Sequence, residues 1–255
     1  MSALDDVIPG EPMSVSATLY TSYARCPQQA LGRARGIYGP PSRVAFRGSL
    51  AHKVFARHLE DGEIEPEMFE QACREMAGGH LGEQMASLHL KPSEFRSLVA
   101  EVRSMYERFK ALPTQGFTAA EEPFEIDGGT GVTIRGRIDA VFSERGGSRI
   151  VDWKTGSFLG DAEPQLEFYA MAWMMVHDEI PVAIEASSLA TGENVRRVPT
   201  QASVDRTTQE VSDMITALRR AMDSGSDLNR LAGPYCSWCP LLDDCEEGAS
   251  ALDLL

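Results

Sequence analysis

Residues 132–154 read VTIRGRIDAVFSERGGSRIVDWK, and their alternation decides the fold. Val132, Ile134, Ile138, Ala140 and Phe142 recur with period two, and Ile150-Val151 forms a short apolar run before Trp153. That pattern predicts two strands. The polar stretch from Ser143 to Ser148, with Gly146-Gly147, supplies the turn of a hairpin. Two acids, Asp139 and Asp152, stand inside these apolar strands, and Lys154 follows the second. Residues 152 and 154 share a strand face because side chains alternate. A hairpin can turn Asp139 to the same face, so that two carboxylates and an amine converge. Such a trio can hold a hard divalent cation beside a group that orients a nucleophilic water. Acids at strand ends also cap turns or pair with arginine, and Arg135, Arg137 and Arg149 are all close in sequence.

Outward from the hairpin, the chain has 255 residues, enough for one large domain with a full core. It carries a net charge of -14. The charge is unevenly placed. From Ala24 to His58 there are seven cations (Arg25, Arg33, Arg35, Arg43, Arg47, Lys53 and Arg57) and no acid. This stretch is the sequence's candidate for tracking a phosphate backbone, and a bound metal would reverse the sign of an acidic site. No apolar run reaches the roughly 20 residues that span a bilayer. The acidic start, MSALDDVIPGEP, has no apolar signal core. A cytoplasmic location is expected.

The remaining elements alternate in kind. Residues 1–13 are expected to be a flexible tail. Ser14 or Ser16 is placed to cap a short helix, and Phe46–Asp61 reads as a helix with an apolar stripe through Leu50, Val54, Phe55 and Leu59. His52 lies off that stripe, where a lone histidine is ordinarily a surface or capping residue. Two further helices, Glu65–Gly78 and Pro92–Leu112, form an expected helical insertion over about 62–112. Phe117–Ile126 begins the strands, with Glu121 and Glu122 either near the acidic pair or solvated. After a loop, Gln165 to about His177 is a helix on which Gln165 and Tyr169 share a face. Pro181–Leu189 and Asn194–Val204 read as strands, and Asp205 is expected to cap a helix to about Ala221. The order predicts an α/β layered domain over 14–230, followed by a cysteine-rich segment, 231–255.

Five cysteines in a chain of this character disfavour a disulfide framework. Cys236, Cys239 and Cys245 crowd together, which suggests metal or cluster ligation. Cys73 sits on a helix, where a cysteine packs as a small apolar residue.

Gly48-x-x-x-His52, Gly136-x-x-Asp139, Asp152-Trp153-Lys154 and Gln165-x-x-x-Tyr169 occur in that order, between Cys26 and Cys236-x2-Cys239-x5-Cys245. The set resembles the PD-(D/E)XK nuclease superfamily, RecB-type branch. Within it, the pattern is most similar to the four-cysteine iron–sulfur exonucleases, including the CRISPR-associated protein four family and its phage and repair relatives. The resemblance runs from about Ser16 to Cys245. It implies a restriction-endonuclease-like mixed sheet flanked by helices, with an iron–sulfur segment joining the chain ends. It implies that His52, Asp139, Asp152 and the Trp153 carbonyl bind Mn2+ or Mg2+, that Lys154 positions or activates water, and that Gln165 and Tyr169 support the site and the nucleic-acid backbone. It implies a 4Fe-4S cluster on Cys26, Cys236, Cys239 and Cys245, with zinc as the alternative for four thiolates. Close relatives commonly carry Glu at the place of Asp152, so the metal must sit nearer the strand here.

The implied activity is DNA exonuclease action on single strands or ends, in recombination, repair or phage DNA processing. The rivals are a CRISPR-adaptation nuclease working with an integrase, and a non-catalytic DNA-end-binding scaffold. No GxxxxGK[ST] phosphate loop is present, so a helicase or recombinase motor would be a separate partner.

Overall fold

A computed structural model describes residue 4 and residues 7–79, 81–156, 159–160 and 162–253. The elements run β1 (Met13–Val15), α1 (Ala17–Arg25), α2 (Pro27–Ala34), α3 (Arg43–Asp61), α4 (Phe69–Gly78), α5 (Gly82–Leu88), α6 (Pro92–Phe109), β2 (Phe117–Gly129), β3 (Val132–Glu144) and β4 (Gly147–Lys154). They continue with α7 (Ala162–His177), β5 (Ala183–Ser188), β6 (Asn194–Arg197), α8 (Gln201–Ser224), two 3-10 turns (Pro234–Trp238 and Leu242–Asp244) and α9 (Glu246–Leu252). The predicted hairpin is β3 and β4, antiparallel from Ala140↔Val151 to Glu144↔Gly147.

The six strands form one mixed sheet, ordered β1-β3-β4-β5-β6 with β2 also on β3. β2 runs antiparallel along one edge of β3, from Phe117↔Phe142 to Gly129↔Val132. The other edge of β3 is shared. β1 pairs in parallel with residues 132–134, and β4 takes residues 140–144. Between them, among the described residues, 135–139 of β3 have no strand partner on that edge. Asp139 stands at the end of this gap.

Helices cover both faces. One core joins Ile134, Ile138 and Ile150 to residues of α1, α2, α7 and α8. The other joins Ala140, Phe142, Val151 and Trp153 to α3, α4 and α6. Trp153, between Asp152 and Lys154, sets its ring edge-on to Phe109 at 5.3 Å. Such an aromatic pair is worth about 0.5–1.5 kcal/mol beyond area burial. It anchors the strand that carries the two polar residues. Gly136 is required by packing: the Phe124 ring of β2 lies across it, and a Cβ there would approach that ring to 2.5 Å.

Three local expectations differ from the structure. The stretch read as a flexible tail is packed where it is described. Leu4, Val7 and Met13 are in the core, and buried Arg219 donates to the Ile8, Glu11 and Thr130 carbonyls. A buried guanidinium needs such acceptors. Residues 1–3, 5 and 6 lie outside the described residues, as do Ser157, Phe158 and Asp161 of the loop expected after Gly156 and the last two residues of the chain. The helix expected to be capped by Asp205 begins at Gln201, because Thr200 Oγ1 accepts the Ser203 N–H at 3.2 Å while Ser203 Oγ takes the Thr200 N–H at 3.1 Å. β6 therefore ends at Arg197 rather than reaching Val204. Among the described residues no helix is long and apolar enough to cross a membrane.

Candidate active site

The strand ladder between β3 and β4 stops at Ala140↔Val151. One step further on, a side chain replaces the main chain: Asp139 Oδ2 accepts the Trp153 N–H at 2.8 Å. Asp139 is thereby wedged at the point where the strands part. Its other oxygen, Oδ1, lies 2.9 Å from His52 Nδ1. His52 comes from α3, which Ser42 caps through the Ala45 N–H. Phe46, Leu50, Val54 and Phe55 bury the apolar flank of that helix, so the histidine on the adjoining flank faces β3. Burial alone would lower the His52 pKa. The Asp139 charge and hydrogen bond, helped by Asp152 and Glu121, outweigh it and raise the imidazole to about 9.

Asp152 and Lys154 share a face of β4, as alternation requires. Lys154 Nζ lies 2.8 Å from Asp152 Oδ2 and donates to Gln165 Oε1 at 2.5 Å. Gln165 Nε2 donates to Asp152 Oδ1 at 2.8 Å and to Tyr169 Oη at 2.9 Å. An ammonium only donates, so the amide oxygen must face Lys154 and the amide nitrogen the carboxylate. Asp152 Oδ2 is buried and, although close to Lys154, makes no hydrogen bond of good geometry. Burial raises the Asp152 pKa to about 6, against the pull of Lys154 and with the help of Asp139. Burial also holds the Tyr169 phenol well above its usual value.

Glu121 enters the site from β2. It sits at φ 51, in the left-handed region uncommon for a residue with a side chain. His52, Glu121 and Asp139 each offer one ligand atom, all within 4.8 Å of one another. Lys53 at 2.5 Å and Arg137 at 3.1 Å share the Glu121 carboxylate. The donor set of one imidazole and two carboxylates fits a divalent cation that prefers oxygen; Asp152, expected as a further ligand, is not in this group, and its Oδ2 lies 2.8 Å from Lys154 Nζ. Sequence reasoning named Glu121 but left it between the site and solvent. The Trp153 carbonyl, expected as a ligand, belongs to a residue whose N–H is already committed to Asp139.

His52, Glu121, Lys154 and Gln165 line an open cavity of about 820 Å³, whose walls also include Thr18 and Arg137. The basic stretch contributes less to it than its composition suggests. Arg43 and Arg47 are both bound to Glu101 of α6. Lys53 is on Glu121, and Arg57 pairs with Asp61 and Glu75. Arg35 donates to the Ala221 and Ser226 carbonyls. Acids remote in sequence neutralise most of the run.

The four motif cysteines line a second cavity of about 230 Å³. Main-chain N–H groups point at three of the sulfurs: Leu231 to Cys26 at 3.5 Å, Gly233 to Cys236 at 3.4 Å and Gly248 to Cys245 at 3.4 Å. A Cβ on Gly248 would stand 3.3 Å from Cys245 Sγ and 3.4 Å from Cys236 Sγ, a tight fit against both sulfurs. Among the described residues no three of the sulfurs lie within 4.8 Å of one another. Cys73 is elsewhere, fully buried between α3 and α6, with its thiol pushed up to about 12 by burial.

The fold agrees with what comparison with other proteins finds. The family model of the PD-(D/E)XK nuclease superfamily matches residues 14–246. The chain belongs to that superfamily and is a nuclease by membership. It is 23% identical to the Gene 69 protein of Mycobacterium phage L5 over 278 residues, spanning 90% of this chain and 95% of that protein. It also resembles a crystal structure described as "Putative exonuclease" from Eubacterium rectale, with a TM-score of 0.56 and 13% identity over 92% of this chain and 88% of that one. At that identity the likeness is one of fold.

Proposed function

We propose that the protein is a metal-dependent deoxyribonuclease acting as an exonuclease on single-stranded DNA or DNA ends. The observation that carries this reading is the bonded cluster of His52, Asp139, Asp152, Lys154 and Gln165 in a nuclease fold, with His52, Lys154 and Gln165 opening onto one cavity. His52, Asp139, Asp152 and the Trp153 carbonyl are the proposed ligands of Mn2+ or Mg2+, with Glu121 as an added carboxylate. Such a cation polarises a phosphoryl oxygen and lowers the pKa of a bound water.

The chain's own residues do the rest. Lys154 has three donors. One goes to Gln165 and one side faces Asp152, so the ammonium is fixed with a remaining donor for the attacking water or a phosphate oxygen. Gln165 holds Lys154 and Asp152 in one plane of contact, and Tyr169 fixes the rotamer of Gln165. Orienting groups of this kind are typically worth 10–100-fold in metal-site activity.

Cys26, Cys236, Cys239 and Cys245 are the proposed ligands of a 4Fe-4S cluster. The N–H groups aimed at sulfur suit thiolates, of a cluster or of a four-thiolate zinc site alike. The kinship with a mycobacteriophage protein favours a role in phage DNA processing.

Incubating end-labelled linear and circular single strands with Mg2+, Mn2+ or chelator tests the reading. Loss of linear strands alone, and only with metal, is the expected result. Nicking of circles at the same rate would replace the exonuclease with an endonuclease.

A further inference from the structure

A second groove adjoins the catalytic cavity. It has a volume of about 560 Å³ and is lined by Ser14 of β1, Ser16, Arg33 of α2, Arg135 of β3 and Tyr38. Thr18 lines both this groove and the catalytic cavity, so the two are neighbours across one residue. Arg137 lines the catalytic cavity and Arg135 the groove. Residues 135, 137 and 139 lie two apart on β3, so the strand leads from Asp139 to the groove in steps of one side-chain repeat.

Two properties distinguish the groove from the rest of the basic surface. Among the described residues, the Arg33 and Arg135 side chains have no hydrogen bond or ion pair, in contrast to those of Arg35, Arg43, Arg47, Lys53 and Arg57. Arg33 Nε is buried as well as unbonded. The one acid in the lining is Glu11. Tyr38, on the loop after α2, is 66% exposed, with Ile37 beside it at 41%. Two free guanidinium groups, hydroxyls and an exposed aromatic ring are the parts of a single-strand binding track, in which cations follow phosphates and rings stack on unpaired bases.

We propose that this groove carries a single nucleic-acid strand onward from the catalytic cavity, with Arg33 and Arg135 on successive phosphates and Tyr38 stacked on a base. The inference rests on the nuclease reading and specifies its substrate as single-stranded over the nucleotides that lie beyond the cleaved bond. A duplex offers no unpaired base to Tyr38.

Fluorescence anisotropy of labelled oligothymidylates of 4 and 16 nucleotides, in chelator to prevent cleavage, tests it. Neutralising two phosphates changes the slope of log affinity against log salt by about 1.4 for a single strand, which is roughly 25-fold at 0.1 M salt. The Arg33→Ala/Arg135→Ala protein should show both changes with the 16-mer and neither with the 4-mer, which is too short to fill the catalytic cavity and the groove together. Because the two arginine side chains have no partners in the fold, its melting temperature should equal that of the wild type. Tyr38→Ala should weaken the 16-mer at least about fivefold with the salt slope unchanged, and Tyr38→Phe should restore it. Unchanged slope and affinity in the double variant would overturn the proposal. So would an equal loss with a blunt 16-base-pair duplex. A wild-type protein that binds as described yet cleaves nothing with Mg2+ or Mn2+ would instead remove the nuclease reading and leave the groove standing.

Discussion

In the catalytic cavity each polar side chain is braced by another. His52 leans on Asp139, Asp139 on the Trp153 N–H, and Asp152, Lys154 and Tyr169 on Gln165. The braces come from β3, β4, α3 and α7, all fixed by the two cores. Around the cysteine cavity the bracing is main-chain N–H to sulfur, on two 3-10 turns and the short α9. The two ends of the chain meet there: the Leu231 N–H lies 3.5 Å from Cys26 Sγ, the Tyr235 hydroxyl donates to the Arg25 carbonyl at 3.0 Å, and the Gln28 N–H to the Asn229 carbonyl at 3.1 Å. The first site is built by the fold. The second would help to build it, because a group bound by all four cysteines would join the N-terminal helices to the C-terminal segment. Damage to the first should therefore cost chemistry and spare stability, and damage to the second should do the reverse.

The sharpest break comes from Lys154→Ala or Asp139→Ala. Cleavage should fall by on the order of 10³-fold or more, since metal-assisted charge stabilisation is worth several kcal/mol. The melting temperature should stay within a few degrees. Thermal denaturation beside a gel assay checks both, and a large fall in stability would erase the contrast.

Cys26→Ala should show the opposite pattern. In the chain-entropy treatment of cross-links, closing a loop of about 100 residues is worth about 4–5 kcal/mol, and a longer loop only slightly more. That sets the scale of the expected loss in anaerobic denaturant unfolding. The isolated wild type should be brown and contain iron, and the variant should not. A colourless protein holding only zinc would remove the cluster and keep the tether.

Gln165→Ala should be milder, about 10–100-fold in cleavage rate, with affinity for DNA little changed. The smallest effect is expected at Cys73. Its alanine variant should lose about 1 kcal/mol of stability and no iron or activity. The folded thiol keeps its proton up to about 12, whereas an exposed thiol loses it near 9. Between those values the unfolded chain binds fewer protons, so this residue makes stability fall as pH rises. Iodoacetamide at pH 8 should accordingly spare Cys73 in the folded protein and modify it in denaturant.

How much of this was legible in the sequence follows from the range of the interactions. Asp152 and Lys154 were placed by alternation, and Gln165 and Tyr169 by a one-turn spacing. Both are local geometry, and the structure sets these residues side by side. The hairpin likewise needed only its own turn. Glu121 was not resolved, because its entry depends on a left-handed kink in β2 that no periodicity marks. β1 was missed because three residues become a strand only by pairing with 132–134 far along the chain. The basic stretch was misjudged for the same reason. Glu101 and Glu121, which silence Arg43, Arg47 and Lys53, lie on elements folded back from elsewhere. Arg135, one of the groove's two free cations, was noted only as a neighbour of the acids.

The most direct test of the central claim is digestion of a 5′-labelled linear single strand by the wild type and by Asp152→Ala, with Mn2+, Mg2+ or chelator. The account predicts metal-dependent shortening of the strand by the wild type, none in chelator, and none by Asp152→Ala with either metal despite an unchanged melting temperature. Digestion by Asp152→Ala at the wild-type rate, or by the wild type in chelator, would contradict it.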